Sequence, residues 1–409
     1  MSEKRVVITG IGPVTAIGHG RDEFTAALFE GKSGIGKLSW RDPSKQKTTM
    51  AAEIRNFEIR KYLETEKTYL DRSSQLALAA LSLALRDAGI DPASWQGRKP
   101  GLVLGTAFGS LETMTIFFAD LLQKGPRLVK PFLFPHAYAN TAISLAAIEF
   151  GLDGFHLNFS SGMISGACAV LAAYDRIRLG KEEVILAGGY EALSTALFLG
   201  YESQKELSPG PGGTEHCAPF GRSRNGFVLG EGSGVIALEE LEHALRRGAH
   251  IYAEICGAGL AASSPATPAP SNAPCRAMTQ ALRAADISPG ESLYVLANAN
   301  GSIIGDRAEG QALRHLFGEN PRCRIGTVKP MLGETLGAAG ALQIVSAVVA
   351  IEKKHLPPAL NLEEPEEGFA LPFVGDRALA WETNTVLVNS LDSGGAAVTF
   401  VLRAWNRQS

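Results

Sequence analysis

Residues 74–92 read SQLALAALSLALRDAGIDP, and residues 276–289 read RAMTQALRAADISP. Each stretch predicts an apolar helix that ends in a turn, and each precedes an apolar run that ends in small residues, typical of a strand. Each half of the chain also begins with a similar strand, RVVITGIG at 5–12 and YAEICGAG at 252–259. Two matching pairs in the same order indicate a duplicated α/β domain.

The alternation of strands and helices in each half predicts a mostly parallel sheet covered by helices on both faces. We expect an N-terminal half over 1–248, with an insertion that carries a dimer interface, and a C-terminal half over 249–409. The Gly10-Ile11-Gly12 turn is a weak dinucleotide signal, because the third glycine and the acidic residue of that motif are missing.

The bulk properties exclude several classes of function. The formal charge of −3 and the lack of a basic stripe argue against nucleic-acid binding. No stretch approaches the roughly 20 apolar residues of a membrane helix, and the apolar run at the N-terminus is too short for a signal peptide. Five scattered cysteines without a CxxC pattern make disulfides and zinc sites unexpected. We therefore expect a cytoplasmic protein without metal or cofactor.

Residues 151–168, GLDGFHLNFSSGMISGAC, predict a strand, a tight turn of small residues and the start of a helix. Such an elbow exposes one side chain, and the helix N-terminus behind it favours developing negative charge. A nucleophile would lie at this point. The residue there is Met163.

Two more segments carry chemistry, NANGSIIGDRAE at 298–309 and VKPMLGETLGAAGA at 328–341. Together with GRSRNGFVLGEG at 221–232, PPALNLEEP at 357–365 and NSLDSGG at 389–395, they resemble the β-ketoacyl-ACP synthases over nearly the whole chain. That resemblance implies the thiolase-like fold of these condensing enzymes, in which duplicated α/β halves form a layered αβαβα sandwich.

In working members of that family, an elbow cysteine holds the acyl group and two histidines stabilise the enolate formed from malonyl-ACP. The resemblance places Met163, Asn300 and Glu334 at these three positions. A thioether cannot form an acyl intermediate, and we expect Met163 to fill the space of the cysteine and its acyl chain. Asn300 can donate a hydrogen bond but no proton. An ionised Glu334 would repel the enolate, unless it is protonated; we expect it to pair with Lys329 or another cation.

The resemblance also implies a supporting pair, Lys329 with Glu309, that this chain retains, and a phenylalanine gate that Ser393 replaces. Cys168 and Cys217 are the alternative nucleophiles. Cys168 lies five residues after the elbow, on another helix face, and reads as a structural thiol. Cys217 follows His216 in a Pro/Gly-rich loop, which we expect at the surface or lining the site.

These losses most resemble the chain-length factor, or ketosynthase β subunit, of type II polyketide and aryl-polyene-type systems. That resemblance implies two partners, an active ketosynthase in a heterodimer or heterotetramer and the acyl carrier protein (ACP). Gly301 and Asp306 are two positions closer than in working ketosynthases, as in chain-length factors. Met163 departs from the Gln that chain-length factors often carry, and Met cannot hydrogen-bond a thioester as Gln can.

Residues 107–118 would then lie near the dimer seam. Four side chains there are candidates for the floor of the partner's acyl tunnel or for ordinary core packing: Thr113, Met114, Phe117 and Phe118. Two other functions stay open. One is a divergent ketosynthase, acyltransferase or malonyl decarboxylase with an unusual active site, and the other is a homodimeric acyl-binding protein.

Overall fold

The computed structural model describes most of the 409 residues. The described ranges are 3–38, 40–41, 47–95, 97, 99–209, 214–264, 266–269, 271–318, 320, 322–362, 364–369, 371–382 and 384–406. Residue 363 of the PPALNLEEP phrase therefore lies outside the described residues.

The strands are β1 (Val6–Thr15), β2 (Gly18–His19), β3 (Ile35–Lys37), β4 (Met50–Ala52), β5 (Gly101–Gly105), β6 (His156–Phe159), β7 (Val184–Glu191), β8 (Gly232–Glu240), β9 (Ala253–Ala262), β10 (Leu293–Leu296), β11 (Cys323–Gly326), β12 (His355–Leu356), β13 (Leu379–Ala380), β14 (Thr385–Leu391) and β15 (Ala396–Ala404). The α-helices are α1 (Gly20–Glu30), α2 (Arg72–Asp87), α3 (Leu111–Lys124), α4 (Thr141–Phe150), α5 (Ser165–Arg178), α6 (Thr195–Gln204), α7 (Leu241–Arg246), α8 (Ala273–Ala284), α9 (Ile303–Phe317), α10 (Lys329–Leu332) and α11 (Ala339–Lys353). Short 3-10 helices span Ile59–Lys61, Pro131–His136, Gly162–Ile164 and Leu336–Ala338.

The main sheet has the strand order β11-β10-β14-β15-β9-β1-β8-β7-β5-β6, with β2 paired to β1. Its two halves mirror each other about the central β9-β1 pair, which confirms the predicted duplication. The prediction of a mostly parallel sheet is wrong. Only the outer strands pair in parallel, β5 with β6 and β7, and β10 with β11 and β14. The inner strands are antiparallel, in part because a four-residue turn joins β14 directly to β15.

Successive residues of the strands face opposite layers, as the two-residue period of a strand requires. In β7, Ile185 and Ala187 join the core around α5 and α11, whereas Leu186 joins the core around α2. The two halves use their helices in the same way. Helix α2 packs on β1 and β8, and α8 packs on β9 and β15. Helices α5 and α11 pack against each other in the middle, which gives the layered arrangement of an α/β sandwich.

The glycines of the two matching strands serve helix packing rather than nucleotide binding. A Cβ atom at Gly12 would clash with the backbone of α2, and one at Gly259 would clash with the backbone of α8. The same close approach of helix to strand therefore recurs in both halves. The division of the chain at residue 248 stays a prediction.

One helical stretch among the described residues, Leu336–Lys353, is long and apolar enough to cross a membrane, with a mean hydropathy of 1.4 over 18 residues. This differs from the expectation that no stretch of the sequence approaches that length. Because 89% of it is buried inside the protein, its length and apolar composition are those of a core helix.

Candidate functional site

The elbow forms where β6 leads through a turn into α5. Gly162 has a φ of +65°, a conformation that side chains with a Cβ rarely adopt, and it opens the 3-10 helix that carries Met163. The elbow pattern predicted an exposed side chain at this point, and that prediction is wrong: Met163 is buried, with 5% of its surface exposed. It belongs to an apolar cluster with Phe198 and Leu336. The methionine therefore fills a closed apolar space at the point where a nucleophile would lie.

A carboxylate lies directly on this elbow. The backbone N–H of Met163 donates to Oδ2 of Asp392 over 2.8 Å, and a Cβ atom at Gly162 would clash with the same carboxylate. Asp392 begins the turn between β14 and β15, and its Oδ1 accepts the N–H of Gly394 at 2.7 Å. Sequence reasoning missed this residue. The signal was present, because Asp392 directly precedes the gate position Ser393 in the NSLDSGG phrase.

Glu334 is the centre of a buried polar cluster. Its Oε2 accepts a hydrogen bond from Lys329 Nζ at 2.6 Å and another from Asn300 Nδ2 at 2.8 Å. Its Oε1 accepts the backbone N–H of Leu336 at 2.9 Å. The side chains of Lys329 and Glu334 are 2% and 1% exposed, so the ion pair is shielded from water. The pairing of Glu334 with Lys329 is the arrangement that we expected for this carboxylate.

Glu309 is held by other groups than Lys329. Its carboxylate accepts the backbone N–H groups of Asn298 and Ala299 and the side-chain amide of Asn389, each at 2.9 Å. Burial raises the pKa of Glu309 to about 7, against the opposing effect of these hydrogen bonds. The Lys329–Glu309 ion pair that the resemblance implied is thus replaced by Lys329–Glu334. Glu309 instead shapes the loop that presents Asn300.

Asp306 fixes the same loop from its other end. Its carboxylate accepts the N–H groups of Asn300, Gly301 and Phe220 at 2.8–3.3 Å. Burial raises the pKa of Asp306 to about 6. These backbone contacts, with the charge of Arg224, oppose that rise and stabilise the carboxylate in the core.

Neither candidate thiol is set up as a nucleophile. Cys217 is buried rather than at the surface, and its thiol donates to the carbonyl oxygen of Asn300 at 3.4 Å. Burial raises the pKa of Cys217 well above its usual range. Burial also raises the pKa of the half-buried Cys168 thiol to about 11. Both thiols are protonated at neutral pH, and a thiol attacks far more slowly than a thiolate.

A pocket of about 410 Å³ opens beside this centre, next to Asp392 and Ser393 on the turn. Two isoleucines at the start of α9, Ile303 and Ile304, also line it. Ser393, the predicted gate position, is exposed. No group of three metal-ligating side chains occurs in the part of the chain that the structure describes.

The candidate tunnel residues share α3 but not one face. Thr113 points inward, where its hydroxyl hydrogen-bonds the Tyr69 hydroxyl at 2.8 Å. Phe117 is buried, and its ring lies tilted against the ring of Phe134, with 5.7 Å between the ring centroids. Phe118 is 50% exposed. Met114 is half-buried. The helix therefore offers both core-facing and outward-facing side chains from this set.

Comparison with known proteins identifies the family of the chain. The model of the β-ketoacyl synthase N-terminal domain matches residues 3–244, and the model of the C-terminal domain matches residues 252–363. The chain belongs to the β-ketoacyl synthase family. Among curated β-ketoacyl synthases, 3-oxoacyl-[acyl-carrier-protein] synthase 2 of Coxiella burnetii is 33% identical, over 98% of this chain and 99% of the relative. The synthase of the same name from Synechocystis is 32% identical over 99% of both.

Solved structures of β-ketoacyl synthases have the same fold. The ishigamide ketosynthase/chain length factor has a TM-score of 0.91 at 29% identity and covers 99% of this chain and 100% of its own. A β-ketoacyl synthase from Burkholderia phymatum has a TM-score of 0.87 at 31% identity, over 98% of this chain and 100% of its own. A type II polyketide acyl carrier protein in complex with its ketosynthase has a TM-score of 0.88 at 30% identity, over 99% and 100%. The predicted thiolase-like fold is confirmed.

Proposed function

We propose that this chain is a non-catalytic ketosynthase-like subunit, a chain-length factor. In this proposal it pairs with an active ketosynthase and helps shape the acyl tunnel during elongation on ACP. The observation that carries the proposal is the Asp392 carboxylate on the elbow amide. A thioester attacked at the elbow would develop negative charge on its oxygen beside that amide. The Asp392 carboxylate already accepts the hydrogen bond of the Met163 N–H, and its own charge would repel the developing negative charge.

The Glu334 cluster supports the same conclusion. In the resembled enzymes two histidines donate to an enolate at this centre. Here the amide of Asn300 and the ammonium of Lys329 both donate to Glu334. The donors are engaged with a carboxylate of this chain, and no thiolate is at hand to start the reaction. A structural partner subunit needs the packing of the fold but does not need reactive groups in its centre.

The edge of the sheet provides a surface for the partner. Strand β6 ends the main sheet and pairs only with β5 among the described strands. The loop into α3 is bonded to this edge, since the N–H of Thr106 donates to the carbonyl of Phe159. Around α3 and the following 3-10 helix, large apolar side chains are exposed: Ile116, Phe118, Leu122, Phe132, Phe134 and Tyr138. Open edge strands and contiguous apolar surface are normally covered by another chain.

The relatives support the two partners. One similar structure is a ketosynthase/chain length factor, and another holds an acyl carrier protein in complex with its ketosynthase. We propose the same two kinds of partner for this chain, with the ketosynthase at the β6 edge in a heterodimer or heterotetramer.

Co-expression with a ketosynthase that has an intact Cys–His–His set tests the proposal. We expect a stable mixed dimer or tetramer in size-exclusion chromatography with light scattering. Within that complex, Met114→Ala or Phe117→Ala is expected to lengthen the product, because a shorter side chain at the tunnel floor leaves room for more carbons. Leu179→Ala, an exposed leucine after the end of α5, is the matched control.

The two parts of the proposal fail separately. If neither α3 variant changes the product length, the tunnel-floor role is wrong. If no mixed complex forms and this chain elutes alone, the partner-subunit role is wrong.

One observation favours a second function, that of a divergent condensing enzyme or malonyl decarboxylase. The curated relatives that match over the full length are named as 3-oxoacyl-[acyl-carrier-protein] synthases. The isolated chain would then release CO₂ from malonyl-ACP, which a radiolabelled malonyl group detects. Release above that of an Asn300→Ala variant would favour this function over the structural one.

A further inference from the structure

Glu191 is a buried carboxylate that the proposed function has not used. It is the last residue of β7 and is 1% exposed. Its oxygens accept the backbone N–H of Ala107 at 2.7 Å and that of Phe108 at 3.2 Å. The Thr106 hydroxyl also donates to it at 3.3 Å and accepts the N–H of Gly109 at 2.8 Å. One carboxylate thus fixes the four residues that lead into α3.

The same carboxylate reaches the segment that follows Glu334. The N–H of Gly337 donates to Oε2 of Glu191 at 3.3 Å. Gly337 directly follows Leu336, whose N–H is bonded to Glu334. A Cβ atom at Gly337 would lie 2.6 Å from the backbone of Thr106 and Ala107, so the two segments are in direct backbone contact. Glu191 therefore joins the entry of α3 to the polar centre.

The surroundings of Glu191 offer hydrogen bonds but no paired cation among the described residues. Burial raises the pKa of Glu191 to about 7, and the backbone donors oppose that rise. Among the described residues, two tyrosines interact electrostatically with it, Tyr190 on its own strand and Tyr201 on α6. The bonded segments, 106–109 and 336–338, contain no titratable side chain. The buried carboxylate therefore binds its proton more tightly than an exposed glutamate does.

We propose that Glu191 is a positioning residue that sets where α3 lies relative to the polar centre, so that its charge controls the tunnel floor on that helix. The ionised carboxylate accepts every donor around it. If a neutral amide replaces the carboxylate, an NH₂ group faces a backbone N–H, so at least one of these bonds is lost. The start of α3, and with it Met114 and Phe117, is then held less firmly. This inference rests on the proposed function only for its effect on product length.

Hydrogen exchange on the isolated chain tests the positioning role without a partner. Glu191→Gln keeps the size of the side chain but puts an NH₂ group against a backbone N–H. We expect the amides of 107–109 to exchange about 10-fold faster or more, as for a lost hydrogen bond to a charged group. Glu309→Gln is the matched control, because Glu309 is as buried and bonds Asn298 and Ala299 instead. It should affect 298–299 and leave 107–109 unchanged.

The wild-type chain provides a second test, which decides even if the variant does not fold. After correction for intrinsic rates, protection of 107–109 should be higher at pH 6 than at pH 8, because burial raises the pKa of Glu191 and the closed state binds the proton more tightly than the solvated open state. In the Glu191→Gln chain, protection should be low at both values. Equal protection of these amides at both pH values in the wild type, or an unchanged rate in the variant, overturns the positioning role.

The mixed complex with an active ketosynthase then tests the effect on function. Glu191→Gln should shift the product-length distribution and remove its dependence on pH, while the complex stays assembled. If exchange changes at 107–109 but the product does not, the link to chain length is wrong and the positioning role stands. If no mixed complex forms, the proposed function fails and the exchange result still decides on Glu191.

Discussion

Replacing Lys329 by methionine tests the buried ion pair at the centre of the site. Met has about the length of the lysine stem but no charge, so Lys329→Met leaves Glu334 buried without a cation. Removing one partner of a buried pair costs about 3–5 kcal/mol. With an unfolding entropy of about 2.1 cal/mol/K per residue over 409 residues, this corresponds to a drop in Tm of about 3–6 °C.

The double variant Lys329→Met with Glu334→Gln separates loss of charge from loss of packing. It leaves no isolated charge, and we expect it to be more stable than the single variant by about 2 kcal/mol or more in thermal or urea unfolding. Lys61→Met is the control, because the Lys61–Glu58 pair is exposed and should contribute less than about 1 kcal/mol. A double variant no more stable than Lys329→Met would refute this account of the cluster.

Three further predictions concern the elbow and the buried acids. In a Met163→Cys chain the new thiol should react slowly with iodoacetamide, because the nearby Asp392 carboxylate disfavours a thiolate. Adding Asp392→Gly should speed the alkylation about 10-fold. Fast alkylation of the single variant would contradict this prediction. Gly162→Ala should lower the free energy of unfolding by about 2–4 kcal/mol, because of the positive φ and the clash with Asp392. Adding Asp392→Gly should restore only the part that is due to the clash. An unchanged urea midpoint of Gly162→Ala would contradict both causes. Burial raises the pKa of Glu309 to about 7, above its value of about 4.3 in an unfolded chain. The folded state therefore binds more protons than the unfolded chain. As a result, the contribution of Glu309 to the free energy of unfolding falls as pH rises from about 4 to 7. In urea titrations, the free energy of unfolding of the wild type should include a decline on the order of 3 kcal/mol across that window from this group, and Glu309→Gln should lack it. Identical pH profiles of variant and wild type would contradict this.

The fold was predictable because its signals are local. The helix and strand pairs of the two halves repeat in order, and the glycines of 5–12 and 252–259 mark the same helix contacts in both. The strand directions were not predictable from the same patterns. Alternating strands and helices suggest parallel pairing, whereas the central β9-β1 pair joins strands that begin the two halves, and sequence spacing does not reveal it.

The polar centre was predictable in part. The resemblance brought Asn300 and Glu334 to one place, and opposite charge made Lys329 the natural partner of Glu334. Asp392 was missed because the position was read as part of a gate, and only the folded chain shows its carboxylate against Gly162. Glu191 was also missed, since its donors lie about 80 residues before it and about 150 after it, and no motif marks that convergence.

The chemistry of the cysteines needed the structure as well. Sequence reasoning placed Cys217 in a surface or lining loop. The structure buries this thiol against Asn300, because the loop folds over the segment that carries that residue. The contact makes Cys217 part of the centre, and burial raises the pKa of its thiol, which stays protonated.

The most direct test of the central claim is intact-mass spectrometry of both subunits in the mixed complex, after incubation with acyl-ACP and malonyl-ACP. Our account predicts that the acyl mass appears only on the partner ketosynthase, while this chain keeps its unmodified mass and still alters product length. An acyl adduct on this chain, mapped by peptide analysis to Cys168 or Cys217, would contradict the account.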